Sequence, residues 1–108
     1  MTRRRILFIV AHPPQRGALP RELLDALLVG AVFEQQISVL FLDEGVYQLL
    51  DARGFGALPA YDVDDVFADK ATLGRLGLGA TNLAVPVRGL TRTGIRKLVA
   101  SQDVVIAD

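Results

Sequence analysis

The chain has 108 residues, which suits one domain at the usual size of roughly 100–200 residues per domain. Its 12 basic and 12 acidic side chains give a formal charge of zero, which excludes the strongly basic footprint of a nucleic-acid-binding protein. There is no cysteine and only one histidine, so thiolate catalysis, disulfides, iron–sulfur clusters and metal sites rich in cysteine or histidine are excluded. We therefore expect no cofactor and no bound metal.

The amino-terminal segment resembles a signal peptide only at its start. Three arginines, residues 3–5, precede an apolar run over residues 6–11 that ends at His12 and Pro13. A signal peptide needs an apolar stretch of about 7–15 residues, and a membrane-spanning helix needs about 20. We expect a cytoplasmic protein that does not bind membranes.

The first half of the chain predicts a strand, a helix and a second strand. Residues 6–11 and 37–42 are continuous apolar runs, which are typical of strands buried on both faces. Between them, residues 19–35 carry apolar side chains at helical spacing. Such a βαβ unit forms a right-handed crossover between parallel strands.

The second half continues the alternation of helices and strands. We predict a short apolar helix over residues 46–50 and a longer helix over residues 62–76, which begins with several aspartates. A strand over residues 83–87 follows, made irregular by Pro86. Thr91 then caps a last helix, and residues 103–107 form a final strand.

This alternation predicts an α/β fold with a doubly wound, mostly parallel sheet of four to five strands in a flavodoxin-like three-layer arrangement. Strands one and two are expected to be adjacent, with the later strands added on the other side of strand one. Residues 1–108 are expected to form a single domain.

Three polar residues follow the first two strands. His12 comes after strand one, and Asp43 and Glu44 come after strand two, so all three are expected at the carboxyl edge of the sheet, where ligand crevices form. A histidine beside a carboxylate can act as an acid–base pair. The alternative is a loop histidine next to solvated charges.

Arginines flank the start of the first helix. Arg16 and Arg21 lie where a helix amino terminus can hold an anion, although neither a dinucleotide fingerprint nor a P-loop is present. The alternative is that Arg21 pairs with acidic neighbours on a solvated helix face. The aspartates between residues 62 and 69 resemble a metal site only in composition, because no calcium-loop pattern accompanies them.

The segment 46–50 combines four apolar residues outside the predicted strands. An exposed apolar patch of this kind usually marks an interface, so Val46, Tyr47, Leu49 and Leu50 are interface candidates. The alternative is that they pack on the core of their own chain.

Two segments resemble the DsrE/DsrF-like family, and within it the TusC/DsrF branch. Residues 21–28 read RELLDALL and residues 41–50 read FLDEGVYQLL, close to the branch patterns G-R-E-x-L-D-A-L-L and F-x-x-D-G-V-[FY]-Q-L-L. Pro20 stands where the branch has glycine, and Glu44 replaces its usual aspartate. The chain is also shorter between residues 78 and 91, which makes four strands an alternative to the usual five.

The resemblance implies a subunit of a sulfur-relay complex of the TusBCD/DsrEFH type. In such complexes three related chains form a heterohexamer that passes persulfide sulfur toward 2-thiouridine in tRNA or acts in intracellular sulfur oxidation. The sulfur-carrying cysteines belong to the DsrE/TusD-type and DsrH/TusB-type sister chains, so this cysteine-free chain is expected to be noncatalytic. Two alternatives remain open: a small ligand-binding module or enzyme that uses His12, Asp43 and Arg16, and a homo-oligomeric DsrE-like protein without a sulfur role.

Overall fold

Five parallel strands form one sheet in the computed structural model, which describes residues 3–14, 18–33, 35–50, 54–79 and 83–108. The strands lie in the spatial order β4-β3-β2-β1-β5, and every neighbouring pair is parallel. They are β1 (Arg5–Val10), β2 (Gln36–Phe41), β3 (Asp65–Asp69), β4 (Arg88–Leu90) and β5 (Val104–Ala107). The predicted α/β class with a parallel sheet is confirmed.

Helices connect the strands. The α-helices are α1 (Ala18–Val32), α2 (Lys70–Arg75) and α3 (Arg92–Ala100), and two 3₁₀ helices, Asp43–Leu50 and Phe55–Tyr61, lie between β2 and β3. We call the latter two the 43–50 helix and the 55–61 helix. Within the described ranges, no helix is long and apolar enough to cross a membrane.

The strand order differs from the prediction in one respect. Strands β1 and β2 are adjacent, as predicted, but β3 and β4 lie beyond β2, and β5 alone lies on the other side of β1. The pairing of Val39 with Val66 and of Phe41 with Ala68 joins β3 to β2. The order therefore reverses once, between β1 and β5.

The predicted helix over residues 62–76 is wrong. Its first part is β3, in which buried Val66 and Ala68 alternate with half-buried neighbours at the two-residue period of a strand. Helix α2 begins only after Asp69, whose side chain accepts hydrogen bonds from the Ala71 amide at 3.2 Å and the Thr72 hydroxyl at 2.8 Å. An aspartate that was predicted inside a helix is thus the cap of a shorter one.

The predicted strand over residues 83–87 is also wrong, since the strand of this region is the shorter β4 at residues 88–90. Pro86 has no N–H to donate to a ladder. Val85 instead packs into the core, and the Ala84 amide donates to the Leu49 carbonyl at 2.7 Å. The shortened region thus still contributes a fifth strand.

Apart from the 55–61 helix, which was not predicted, the remaining elements match the prediction to within a few residues. Strands β1, β2 and β5 and helix α1 occupy the predicted segments. Helix α3 begins at the predicted cap, because the Thr91 hydroxyl accepts a hydrogen bond from the Gly94 amide at 3.2 Å.

The 43–50 helix belongs largely to the hydrophobic core. Val46 and Leu49 are fully buried there, so their assignment to an interface is corrected: burial within their own chain leaves them no surface to offer a partner. Tyr47 and Leu50, which follow Val46 and Leu49 in the chain, are 37% and 47% exposed. The hydrophobic core to which Val46 and Leu49 belong also includes Phe8, Val10, Leu27, Val39, Phe41, Phe55 and Leu58.

Carboxylates fasten both ends of β5, which forms one edge of the sheet. The Arg5 amide donates to Asp103 Oδ2 at 2.8 Å, and the Ala11 amide donates to Asp108 Oδ1 at 3.0 Å. Between these two contacts, Val105 and Ile106 are exposed. Side chains at its two ends therefore supplement the backbone ladder that holds β5 to β1.

Gly45 allows the 43–50 helix to lie against the end of β1. A Cβ atom at this position would lie 1.9 Å from the Val10 carbonyl oxygen and 2.5 Å from its carbon. These are backbone atoms of a central strand, so they cannot move aside. Only glycine fits this contact.

We predict that Gly45→Ala lowers the free energy of unfolding by about 3 kcal/mol, since overpacking against backbone cannot relax by a change of rotamer. Gly74→Ala is the matched control. It lies inside α2 with no atom within 4 Å of the added Cβ, so it is expected to raise stability by about 0.5–1 kcal/mol. Urea denaturation followed by circular dichroism measures both, and equal midpoints for wild type and Gly45→Ala would contradict the prediction.

Candidate functional site

The carboxyl ends of β1, β2 and β5 bring polar side chains to one edge of the sheet. His12 follows β1, Asp43 and Glu44 follow β2, and Asp108 follows β5. His12 and Asp108 flank the boundary at which the strand order reverses. In open α/β sheets, ligand crevices form at such a reversal, outside the carboxyl ends of the strands.

His12 is hydrogen-bonded to Asp108. The distance from His12 Nδ1 to Asp108 Oδ1 is 3.0 Å, and the same oxygen accepts a hydrogen bond from the Ala11 amide, also at 3.0 Å. The Asp108 side chain is fully buried, whereas the His12 side chain is 31% exposed. Because an ionised carboxylate only accepts hydrogen bonds, Nδ1 carries a proton, and Nε2 is the acceptor in the neutral ring.

Gln48 holds the backbone of this histidine. Its Nε2 donates to the His12 carbonyl at 3.2 Å, and Gln48 is one of the buried residues of the 43–50 helix. Both the ring and the backbone of His12 are therefore fixed, the ring by Asp108 and the carbonyl by Gln48. A ring held in this way keeps one orientation without help from a ligand.

The second oxygen of the buried carboxylate has no partner among the described residues. Asp108 Oδ2 is inaccessible to solvent and accepts no hydrogen bond from any residue in the described ranges. Burying an acceptor without a hydrogen bond lowers the stability of the fold. Stability alone therefore does not explain why this carboxylate is buried.

The expected pairing of His12 with Asp43 is corrected, because the carboxylate that contacts His12 belongs to Asp108. Asp43 and Glu44 are exposed at the start of the 43–50 helix, and Asp43 has the left-handed backbone angle φ of 49°. Asp43 instead borders a separate cavity of about 720 Å³ at the same edge, together with Asp69, Lys70 and Arg92.

The proposed anion site falls partly outside the described residues. Arg16 lies in the undescribed segment 15–17, and Arg21 is exposed on α1. The anion site therefore stays a prediction. In the described part of the chain, no three acidic or histidine side chains converge as they would around a metal ion.

Sequence reasoning identified His12 but missed Asp108 and Gln48. Asp108 directly follows a buried-type strand of a parallel sheet, which would have placed it at the carboxyl edge beside His12. Gln48 is the one polar residue in the apolar segment 46–50. A polar residue in such a run is itself a signal, because burial requires it to find a hydrogen-bond partner.

We predict that Asp108→Ala lowers the free energy of unfolding by about 2 kcal/mol, because it leaves the Ala11 amide and His12 Nδ1 without an acceptor. In a double-mutant cycle with His12→Ala, the two losses should fall short of additivity by about 1 kcal/mol. Asp103→Ala is the matched control, since it removes the exposed carboxylate at the other end of β5. It should cost less than Asp108→Ala and be additive with His12→Ala. Additivity of the His12 and Asp108 changes in urea denaturation would disprove the coupling.

Comparison with known proteins places this architecture in a family. The chain is 32% identical, over an alignment 113 positions long, to a Pseudomonas aeruginosa protein named TusC homolog, with 94% of this chain and 95% of the relative covered. The crystal structure of the Escherichia coli protein ychN has the same fold, with a TM-score of 0.84 at 15% identity over 97% of this chain and 99% of that chain. The family model of the DsrE/DsrF-like family matches residues 4–107. The chain therefore belongs to the DsrE/DsrF-like family.

Proposed function

We propose that the chain is a noncatalytic subunit of a sulfur-relay complex of the TusBCD/DsrEFH type. The observation that carries this proposal is the similarity to the TusC homolog, which extends over nearly the full length of both proteins. A relay of this kind needs persulfide carriers, and this chain contains no cysteine. Its only sulfur, in the thioether of Met1, has no thiolate form and cannot carry a persulfide.

The role that remains for such a chain is assembly. In the proposed heterohexamer, DsrE/TusD-type and DsrH/TusB-type sister chains supply the sulfur-carrying cysteines, and this chain holds them in place. The pathway would be tRNA 2-thiouridine synthesis or intracellular sulfur oxidation, in the cytoplasm.

Two exposed apolar surfaces support assembly with neighbours. One consists of Tyr47 and Leu50 on the 43–50 helix, at the carboxyl edge of the sheet. The other lies at the end of α1, near the opposite edge, where Val29, Val32 and Phe33 are 56%, 63% and 72% exposed. Patches of this kind mark interaction sites. A subunit with two separated apolar surfaces suits an assembly in which it touches more than one neighbour.

The alternative function is that of a small ligand-binding module acting at the carboxyl edge. The fixed orientation of His12 against buried Asp108 favours it, because a ligand site needs such preorganised groups. A homo-oligomer without a sulfur role is the other alternative. Co-expression with the sister chains of the same genome separates these possibilities, since only the relay subunit is expected to co-purify with them.

We predict that the isolated chain acquires no sulfur from a cysteine desulfurase supplied with cysteine. Intact-mass spectrometry should show no added mass of about 32 Da, whereas a cysteine-bearing sister chain treated in the same way should show it. A stable adduct on this chain would refute the proposed noncatalytic role.

We predict that Tyr47→Asp and Leu50→Asp lower the mass of the assembly that contains this chain, measured by light scattering. The circular dichroism spectrum of the chain should stay unchanged. A charge placed on an exposed apolar surface blocks its burial against a partner without disturbing the core.

The two controls use the same new charge in other environments. Leu49→Asp is expected to unfold the chain, because Leu49 is fully buried. Thr93→Asp, on the exposed surface of α3, is expected to change neither the mass nor the spectrum. If Tyr47→Asp and Leu50→Asp assemble like wild type, the 43–50 helix does not lie in an interface.

A further inference from the structure

His12 presents an unused acceptor at the carboxyl edge of the sheet. Its Nδ1 is bonded to Asp108, and within the described residues no hydrogen bond reaches Nε2, although about a third of the side chain is exposed. The neutral ring therefore offers Nε2 to an incoming proton donor. Asp43 and Glu44, exposed after the neighbouring β2, lie at the same edge of the sheet, and Asp69, Lys70 and Arg92 lie at or just after the ends of the strands beyond it.

Asp108 determines which ring nitrogen of His12 is left for another molecule. Its carboxylate accepts the hydrogen bond from Nδ1, which fixes the tautomer and leaves Nε2 as the acceptor, as in other histidine–carboxylate pairs of acid–base catalysis. Among the described residues Asp108 Oδ2 has no partner, so Oδ1 makes the contacts with both the ring and the Ala11 amide.

The sulfur-bearing group on which such a base would act must belong to another molecule. The chain has no cysteine. Its two serines are remote from the site: Ser38 is buried within β2, and the Ser101 hydroxyl donates to the Leu98 carbonyl at the opposite edge of the sheet. The base is thus present without a thiol of its own.

We propose that His12 is the proton acceptor for a cysteine thiol that a partner chain brings to this edge, with Asp108 as its positioning residue. This inference rests on the proposed relay function. The proton moves from sulfur to Nε2, and the electron pair of the S–H bond stays on sulfur as a thiolate. That thiolate attacks the terminal sulfur of a donor persulfide and forms a new S–S bond with it, while the donor's own S–S bond breaks and the donor's inner sulfur leaves as a thiolate. That leaving thiolate takes the proton back from Nε2.

The test uses the complex of this chain with its sister chains, reduced and checked for assembled mass by light scattering. The probe is iodoacetamide, which alkylates thiolates, and the rate at the partner's cysteine is measured by mass spectrometry at pH 7. We expect His12→Gln to lower this rate about tenfold or more, because an unassisted thiol has a pKa near 8.5. Asp108→Asn should lower it less, and the matched control Asp103→Asn, at the other end of β5, should not change it.

Chemical rescue distinguishes proton transfer from a structural role. Adding free imidazole to the complex that carries His12→Gly should restore the rate, since only a missing base is replaced in this way. An assembled complex with an unchanged rate in His12→Gln, or with no rescue in His12→Gly, overturns the proposal. Loss of assembly in both His12 variants also overturns it, because the pair is then structural.

Two further outcomes have distinct meanings. If the wild-type chain forms no complex with its sister chains, the proposed relay function is wrong and this inference is wrong with it. If the complex forms but the alkylation rate of the partner's cysteine does not depend on His12, only this inference is wrong. A small free thiol is the other source of the same chemistry. If the isolated chain accelerates alkylation of 2-mercaptoethanol and His12→Gln abolishes the effect, the thiol is a small molecule and the partner-chain assignment is overturned.

Discussion

The close approach of Gly45 to the Val10 carbonyl determines how the rest of this edge is built. Because no Cβ intervenes, the 43–50 helix lies directly against the end of the central strand β1. That position buries Val46 and Leu49 and brings Gln48 to the carbonyl of His12. It also leaves Tyr47 and Leu50 facing outward. The core, the site and one proposed interface thus share a single backbone contact.

The sequence predicted helices and strands correctly wherever a single hydrophobic period, either that of a strand or that of a helix, dominated. Continuous apolar runs identified β1 and β2, and Thr91 identified the start of α3. It misled where two periods overlap: Val63, Val66 and Leu73 fit a helix, yet Val66 and Ala68 also alternate as in a strand. Pairing with β2 decided in favour of the strand, and such long-range contacts are not visible in a local pattern.

The candidate site was predicted in part for the same reason. The carboxyl-edge rule places His12 correctly, but the carboxylate that reaches it depends on which strand is the neighbour of β1. Strands β2 and β5 both flank β1, so Asp43 and Asp108 were equally placed by the rule. The side chain that contacts the ring is the buried Asp108, whereas Asp43 is exposed. The burial of a single carboxylate could not be derived from spacing.

The two carboxylates at the ends of β5 have a consequence for the alignment of this strand. β5 is short, and its apolar side chains Val104, Val105 and Ile106 would fit the sheet nearly as well after a slip of two residues. Such a slip would remove Asp103 from the Arg5 amide and Asp108 from the Ala11 amide at the same time. The polar ends thus select one alignment that the apolar middle does not distinguish. The hydrogen bond that orients the His12 ring consequently depends on the register of an edge strand.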